Sequence, residues 1–209
     1  MQGSFQDLNT LRSKLLLYGI TDRRYIRDLR RAIREALDGG VTAIQIREKE
    51  LADGELLREV EEVKRIMERY DALLFVNDRP DIAVLSGADG VHLGKEDLPG
   101  KRVKETFGIL VGKTVKRMED LEEVDYLACG PFFPSSTKPG SLLPISFLQE
   151  LTGKVTIPVI AVGGITHENA YLVLEKGACG IAVSRSLFEG DVYENAKKLR
   201  KVVEEYVAH

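Results

Sequence analysis

Eight short apolar, β-prone runs alternate along this chain with segments whose apolar residues recur at helical spacing, and that alternation narrows the fold more than any other feature. The runs cover residues 15–20, 41–46, 72–76, 90–93, 109–111, 125–128, 157–162 and 179–183, with a mean spacing of about 25 residues. Most are continuous rather than alternating, as in strands buried on both faces. Between them, Ile26, Leu29, Ile33, Ala36 and Leu37 form one helical stripe, and Leu56, Val60, Val63 and Met67 another. Asp53 and Thr166 stand where helix caps are expected. Strands that alternate with helices make a parallel sheet, and eight such units predict a closed (β/α)8 TIM barrel. We read one domain over residues 1–209, with residues 1–13 as a loose N-terminal segment. An open doubly wound sheet is the competing architecture, but no GxGxxG follows the first run.

Composition excludes several function classes. The chain has 209 residues, is 44% hydrophobic and 30% charged, and has a net charge of −3 with dispersed basic residues. It is long enough for one sizeable core, and nothing argues for nucleic-acid binding. No apolar run approaches the roughly 18 residues that span a bilayer. Cys129 and Cys179 are far apart and form no metal motif, which suggests a reducing, cytoplasmic setting. Neither a Ser-His-Asp spacing nor HExxH is present.

In a barrel, the C-terminal ends of all strands face one mouth. The third run stops on Asn77-Asp78, and Pro80 then opens a helix. The amide and carboxylate are candidates to hold an anion and a divalent cation; as plain helix caps they would have equal standing. Asp97, after the fourth run, is either a second hard oxygen ligand or the cap of the helix beyond Leu98-Pro99. Gln45, Arg47 and Lys49 have i, i+2 spacing and share one side of an extended strand. Two adjacent cations fit phosphate oxygens, unless the run Arg47-Glu48-Lys49-Glu50 simply neutralises itself. Lys113-Thr114 ends the fifth run. The loop after the sixth carries Ser135, Ser136, Thr137 and Lys138. Gly163-Gly164-Ile165 and Val183-Ser184-Arg185 follow runs seven and eight, where barrels build their phosphate cup. His92 reads as a packed core histidine, and both cysteines as buried and inert. The strand ends thus present phosphate sites and a Mg²⁺ position, with no obvious general base.

These residues resemble the thiamine-phosphate synthase family. The matching stretches are Tyr18-Gly19-Ile20-Thr21-Asp22-Arg23, Gln45 through Lys49, Val76 through Arg79, Ala88 through Gly94 with Glu96-Asp97, Gly130-Pro131 through Lys138, Ala161 through Ile165, and Gly177 through Val183. They occur in family order across nearly the whole chain. The resemblance implies an enzyme that joins a hydroxymethylpyrimidine diphosphate to a thiazole phosphate and releases pyrophosphate. It implies that Arg47, Lys49, Asn77 and Lys138 hold the diphosphate and that Asp78 and Asp97 hold Mg²⁺. Gln45 and Thr114 then contact the pyrimidine, while Ser135, Thr137 and Gly164, with Val183 and Ser184 in the cup, serve the thiazole phosphate. Arg47, Lys49, Lys138 and Thr114 are the implied catalytic set. The implied partners are these small molecules, with no nucleic acid or membrane and a homo-oligomer as an option.

This chain departs from the family pattern at Lys95, at Lys113-Thr114, at Arg185 and in a shortened stretch between Met118 and Asp125. Lys113 either adds charge beside the site or points out of it. Arg185 either adds a phosphate contact or clashes. These changes are what would support a non-catalytic thiamine-related binding or regulatory paralogue. The related thiazole tautomerase uses a His shortly after the fifth strand, where this chain has Lys116.

Overall fold

The computed structural model describes residues 7–134 and 141–207. Its strands are β1 (Leu17–Ile20), β2 (Ala43–Ile46), β3 (Leu73–Asn77), β4 (Gly90–Leu93), β5 (Leu110–Val115), β6 (Tyr126–Cys129), β7 (Val159–Val162) and β8 (Gly180–Val183). All pair in parallel with their sequence neighbours, and β8 returns to β1, closing the barrel. The helices are α1 (Leu8–Lys14), α2 (Leu29–Asp38), α3 (Asp53–Met67), α4 (Pro80–Ser86), α5 (Gly100–Phe107), α6 (Ile145–Lys154), α7 (Ala170–Leu174), α8 (Arg185–Phe188) and α9 (Val192–Val207). Between β5 and β6 there is only a 3₁₀ turn, Met118–Asp120, which accounts for the short stretch in the sequence.

The core has two layers, because each strand buries both faces. Outward residues such as Ile44, Ile46, Leu74 and Val76 pack under the stripes of α2 and α3, whose Ile33, Ala36, Val60 and Val63 are fully or nearly fully buried. Inward residues form a separate filling around Tyr18, Phe75, Tyr126 and Ile160. The Tyr18 and Phe75 rings stack at 5.5 Å, and Tyr126 meets Phe75 edge-on at 5.2 Å. Gly112 makes this possible: a Cβ there would strike the Tyr126 ring.

Three expectations change here. The segment through residue 13 is not loose over its described part. Asp7 accepts from the Asn9 N–H at 3.0 Å, and α1 follows. Leu11 and Leu15, at i, i+4, drop into the inner filling and close the floor of the barrel. Arg12 and Lys14 tie α1 to the carbonyls of Thr156 and Asp71. Thr166 is likewise not the cap of α7. Its hydroxyl accepts from the Glu168 N–H in a preceding turn, and Asn169 occupies the N-cap. Asp53 is the first residue of α3 rather than its cap, and its carboxylate accepts from Arg79.

At the floor, Asp89 accepts from the Leu74 N–H at 2.7 Å and from Lys64, and Asp125 accepts from the Val111 N–H at 2.8 Å and from Lys104. These buttresses lie opposite the mouth and leave the C-terminal ends free for chemistry.

Candidate active site

The C-terminal mouth is a cavity of about 770 Å³. Gln45, Arg47, Lys49, Asn77, Asp78 and Asp97 line it on the β2–β4 side. Thr114, Gly164, Val183 and Ser184 complete the wall from β5 to β8. Residues separated by up to 139 positions in sequence thus share one concavity, as the strand ends predict. Ser135, Thr137 and Lys138 lie outside the described residues.

Strand alternation decides which charges face inward. Gln45, Arg47 and Lys49 line the cavity, whereas Ile46 joins the outer core and Glu48 accepts from Arg23 at 2.7 Å. The run therefore does not neutralise itself. The Arg47 N–H donates to the buried Thr21 hydroxyl at 2.9 Å, which fixes the exit of β2.

The carboxylates do not cap helices. The N-caps of α4 and α5 are Arg79 and Pro99, and neither helix has a side-chain cap bond. Asp97 accepts from the Gly94 N–H at 2.6 Å. Asp78 has φ 62, a left-handed conformation that is uncommon outside glycine. Burial, then a hydrogen bond to Asp97 and the charge of Asp97, push its carboxyl up from 3.8 to about 6. Lys49 stands 4.0 Å from Asp78 and opposes that shift only weakly. Two carboxylates held this close repel each other unless a proton or a cation sits between them. Among the described residues no group of three or more His, Cys, Asp or Glu could hold a metal, and Asp78 and Asp97 are a pair of carboxylates at one edge of the cavity. That fits Mg²⁺, which is usually held by one or two carboxylates plus substrate phosphates and water.

Across the mouth, Gly163 and Gly164 have φ of 98° and 67°. A Cβ on Gly164 would strike the carbonyls of Phe133 and Pro134, so only glycine lets these backbones meet. The Asn169 amide donates to the Gly164 carbonyl at 3.0 Å, and the Ser186 hydroxyl to Ile165 at 2.7 Å. The Ser184 hydroxyl is buried without a protein partner among the described residues. A buried polar atom of that kind suits a ligand oxygen.

The departures are resolved by geometry. Lys113 points away from the cavity: it is buried, donates to the Leu98 carbonyl at 3.1 Å and lies 3.5 Å from Glu122. Lys95 lines the mouth and lies 3.7 Å from Asp120. Arg185 also lines it, with its guanidinium 2.7 Å from Glu189.

Sequence reading missed one set. His92 is buried as expected, yet it borders the cavity and bonds Tyr126 and Thr114 at 3.1 and 3.0 Å. Burial pulls its imidazole down to about 4, so it is neutral. Tyr18, which also borders the cavity, accepts from the Gln45 amide at 3.0 Å. Polar residues at alternate positions of the inward faces were the available signal. The cysteines are buried as expected, and burial raises both thiols to about 12.

The turns after β7 and β8 face the cations after β2 across the mouth of a closed (β/α)8 barrel, the position at which such barrels build their phosphate sites. The family model described as thiamine monophosphate synthase matches residues 17–187. A thiamine-phosphate synthase of Pyrococcus abyssi is 41% identical over 202 residues, which is 93% of this chain and 97% of the relative. The solved thiamine phosphate pyrophosphorylase of Pyrococcus furiosus superposes with a TM-score of 0.88 at 39% identity, covering 94% of this chain and 99% of that one. The chain belongs to the thiamine monophosphate synthase family. No helix among the described residues is long and apolar enough to cross a membrane.

Proposed function

We propose that this chain joins 4-amino-2-methyl-5-hydroxymethylpyrimidine diphosphate to 4-methyl-5-(2-phosphoethyl)thiazole, giving thiamine phosphate and pyrophosphate. The observation that carries this reading is the convergence of Arg47, Lys49, Asn77, Asp78 and Asp97 on one wall of a cavity whose other wall is the Gly164–Ser184 cup. The electron-rich aminopyrimidine sheds its diphosphate by breaking the C–O bond, which leaves a stabilised cation. The thiazole nitrogen then donates its electron pair to that carbon, and no protein nucleophile is needed.

Arg47 grips the diphosphate with its planar fork and Lys49 acts as a point charge, while Asn77 donates an amide hydrogen. Lys138 is assigned to the same group and to closing its loop over it; Ser135 and Thr137 are assigned to the thiazole phosphate. Asp78 and Asp97 would hold Mg²⁺, which when bound offsets charge that gathers on the leaving group. Gln45 and Thr114 orient the pyrimidine, and the Gly164 backbone with the Val183–Ser184 turn positions the thiazole phosphate in line.

The test is to mix purified protein with both substrates and Mg²⁺ and to measure thiamine phosphate and pyrophosphate. Equimolar products support the reading. Binding of both ligands without product selects the non-catalytic paralogue instead. Lys138→Ala is expected to lower turnover at least ~tenfold; unchanged turnover removes Lys138 from the mechanism.

A further inference from the structure

The barrel interior holds an unbroken line of five hydrogen-bonded side chains. The Gln45 amide on β2 donates to the Tyr18 hydroxyl on β1 at 3.0 Å. Tyr18 meets the Tyr126 hydroxyl on β6 at 2.9 Å. Tyr126 meets Nδ1 of His92 on β4 at 3.1 Å, and Nε2 of His92 meets the Thr114 hydroxyl on β5 at 3.0 Å. Both ends of the line, Gln45 and Thr114, border the cavity.

We propose that Tyr18, Tyr126 and His92 are positioning residues that set the direction of this line, and with it the donor and acceptor pattern offered to the pyrimidine. The inference rests on the synthase reading for the identity of the ligand, but the direction itself follows from proton counting. Each phenol has one proton at neutral pH, and the imidazole, buried with a hydroxyl and no carboxylate on each ring nitrogen, is neutral and has one. Tyr18 already accepts from Gln45, so its own proton finds its only partner in Tyr126 among the described residues. Tyr126 must then donate to Nδ1. The His92 proton is left on Nε2 and is donated to Thr114, whose hydroxyl hydrogen must turn toward the cavity. Run in reverse, the line would leave the Tyr18 proton buried without an acceptor.

The consequence is a specificity filter. With Gln45 anchored through one N–H, its Oε1 and remaining N–H form an acceptor–donor edge, and Thr114 adds a donor. A 4-aminopyrimidine offers an amine and ring nitrogens that complement this set. A 4-oxopyrimidine reverses the order at the amide, and the anchored Gln45 cannot turn to suit it.

The test begins on the protein alone. The chain has three histidines, so ¹⁵N-histidine labelling and long-range ¹H–¹⁵N spectra report the His92 tautomer, with the signal assigned by the His92→Gln variant. The proton is expected on Nε2 with Nδ1 bare; a proton on Nδ1 overturns the proposal. Tyr18→Phe keeps the ring stack on Phe75 and removes the oxygen. It is expected to raise the population with Nδ1 protonated and to raise KM for the pyrimidine diphosphate about fivefold, the effect of one neutral hydrogen bond, leaving KM for the thiazole phosphate unchanged. An unmoved tautomer or an unmoved pyrimidine KM overturns it. Failure of the synthase reading would appear separately, as absence of product from the unmodified chain, while the tautomer measurement needs no substrate.

Discussion

Asp78→Asn is expected to stabilise the ligand-free protein while abolishing turnover. Asn tolerates the left-handed backbone at φ 62 better than other residues with a Cβ, so the exchange adds no strain. Its amide can donate to Asp97, replacing the repulsion that helps to push the Asp78 carboxyl from 3.8 to about 6. At full weight that displacement corresponds to ~3 kcal/mol. The side chain is 31% exposed, and solvent screening reduces the figure to on the order of 1 kcal/mol. For a chain of this size the melting temperature should rise by about 2–4 °C. The pH dependence has a definite sign. A carboxyl raised in the folded state contributes stability below about pH 4 that is lost as pH rises through 6. The advantage of Asn should therefore be full near pH 7 and vanish near pH 4. Calorimetry in EDTA across that range measures it, and a parallel assay records the loss of product. A lower melting temperature at pH 7, or an advantage that grows on acidification, would refute the reasoning.

Three further outcomes follow from the same geometry. His92 is held neutral to about 4 against an ordinary 6.5, so its contribution to stability is present above pH 6.5 and is lost as pH falls toward 4. Urea unfolding should show ~3 kcal/mol less stability across that window, and His92→Gln should flatten the loss. Gly164→Ala forces a Cβ against two carbonyls at φ 67, so kcat/KM for the thiazole phosphate should fall at least ~tenfold; a normal value would remove the cup from the site. Lys113→Ala leaves the Leu98 carbonyl and Glu122 without their cation and should cost ~1–3 kcal/mol in denaturant titration, with both KM values unchanged because the ammonium faces away from the mouth.

Much of this was legible in the chain because both the strands and the site obey local rules. Continuous runs such as Leu74-Phe75-Val76 declare themselves, and a polar residue where such a run ends, as at Asn77, must face the mouth. The orientation of Lys113 was left open by the sequence and is settled by its contacts with Leu98 and Glu122, on the side of β5 opposite Thr114. What stayed hidden depends on contacts distant in sequence. Tyr18 and Tyr126 share a hydrogen bond across 108 positions, and nothing near either residue announces it. α1 is seven residues long, too short for its stripe to stand out from a polar terminus; only the closed floor explains why Leu11 is buried. α8, four residues long, escapes a periodicity search for the same reason.

A crystal structure with pyrophosphate and Mg²⁺ tests the central claim most directly. The metal should sit on oxygens of Asp78, Asp97 and the anion, with Arg47, Lys49 and Asn77 on the remaining pyrophosphate oxygens. An anion bound instead in the outer cleft of Arg30, Arg34, Arg65 and Arg69, with the two aspartates free of metal, would contradict it.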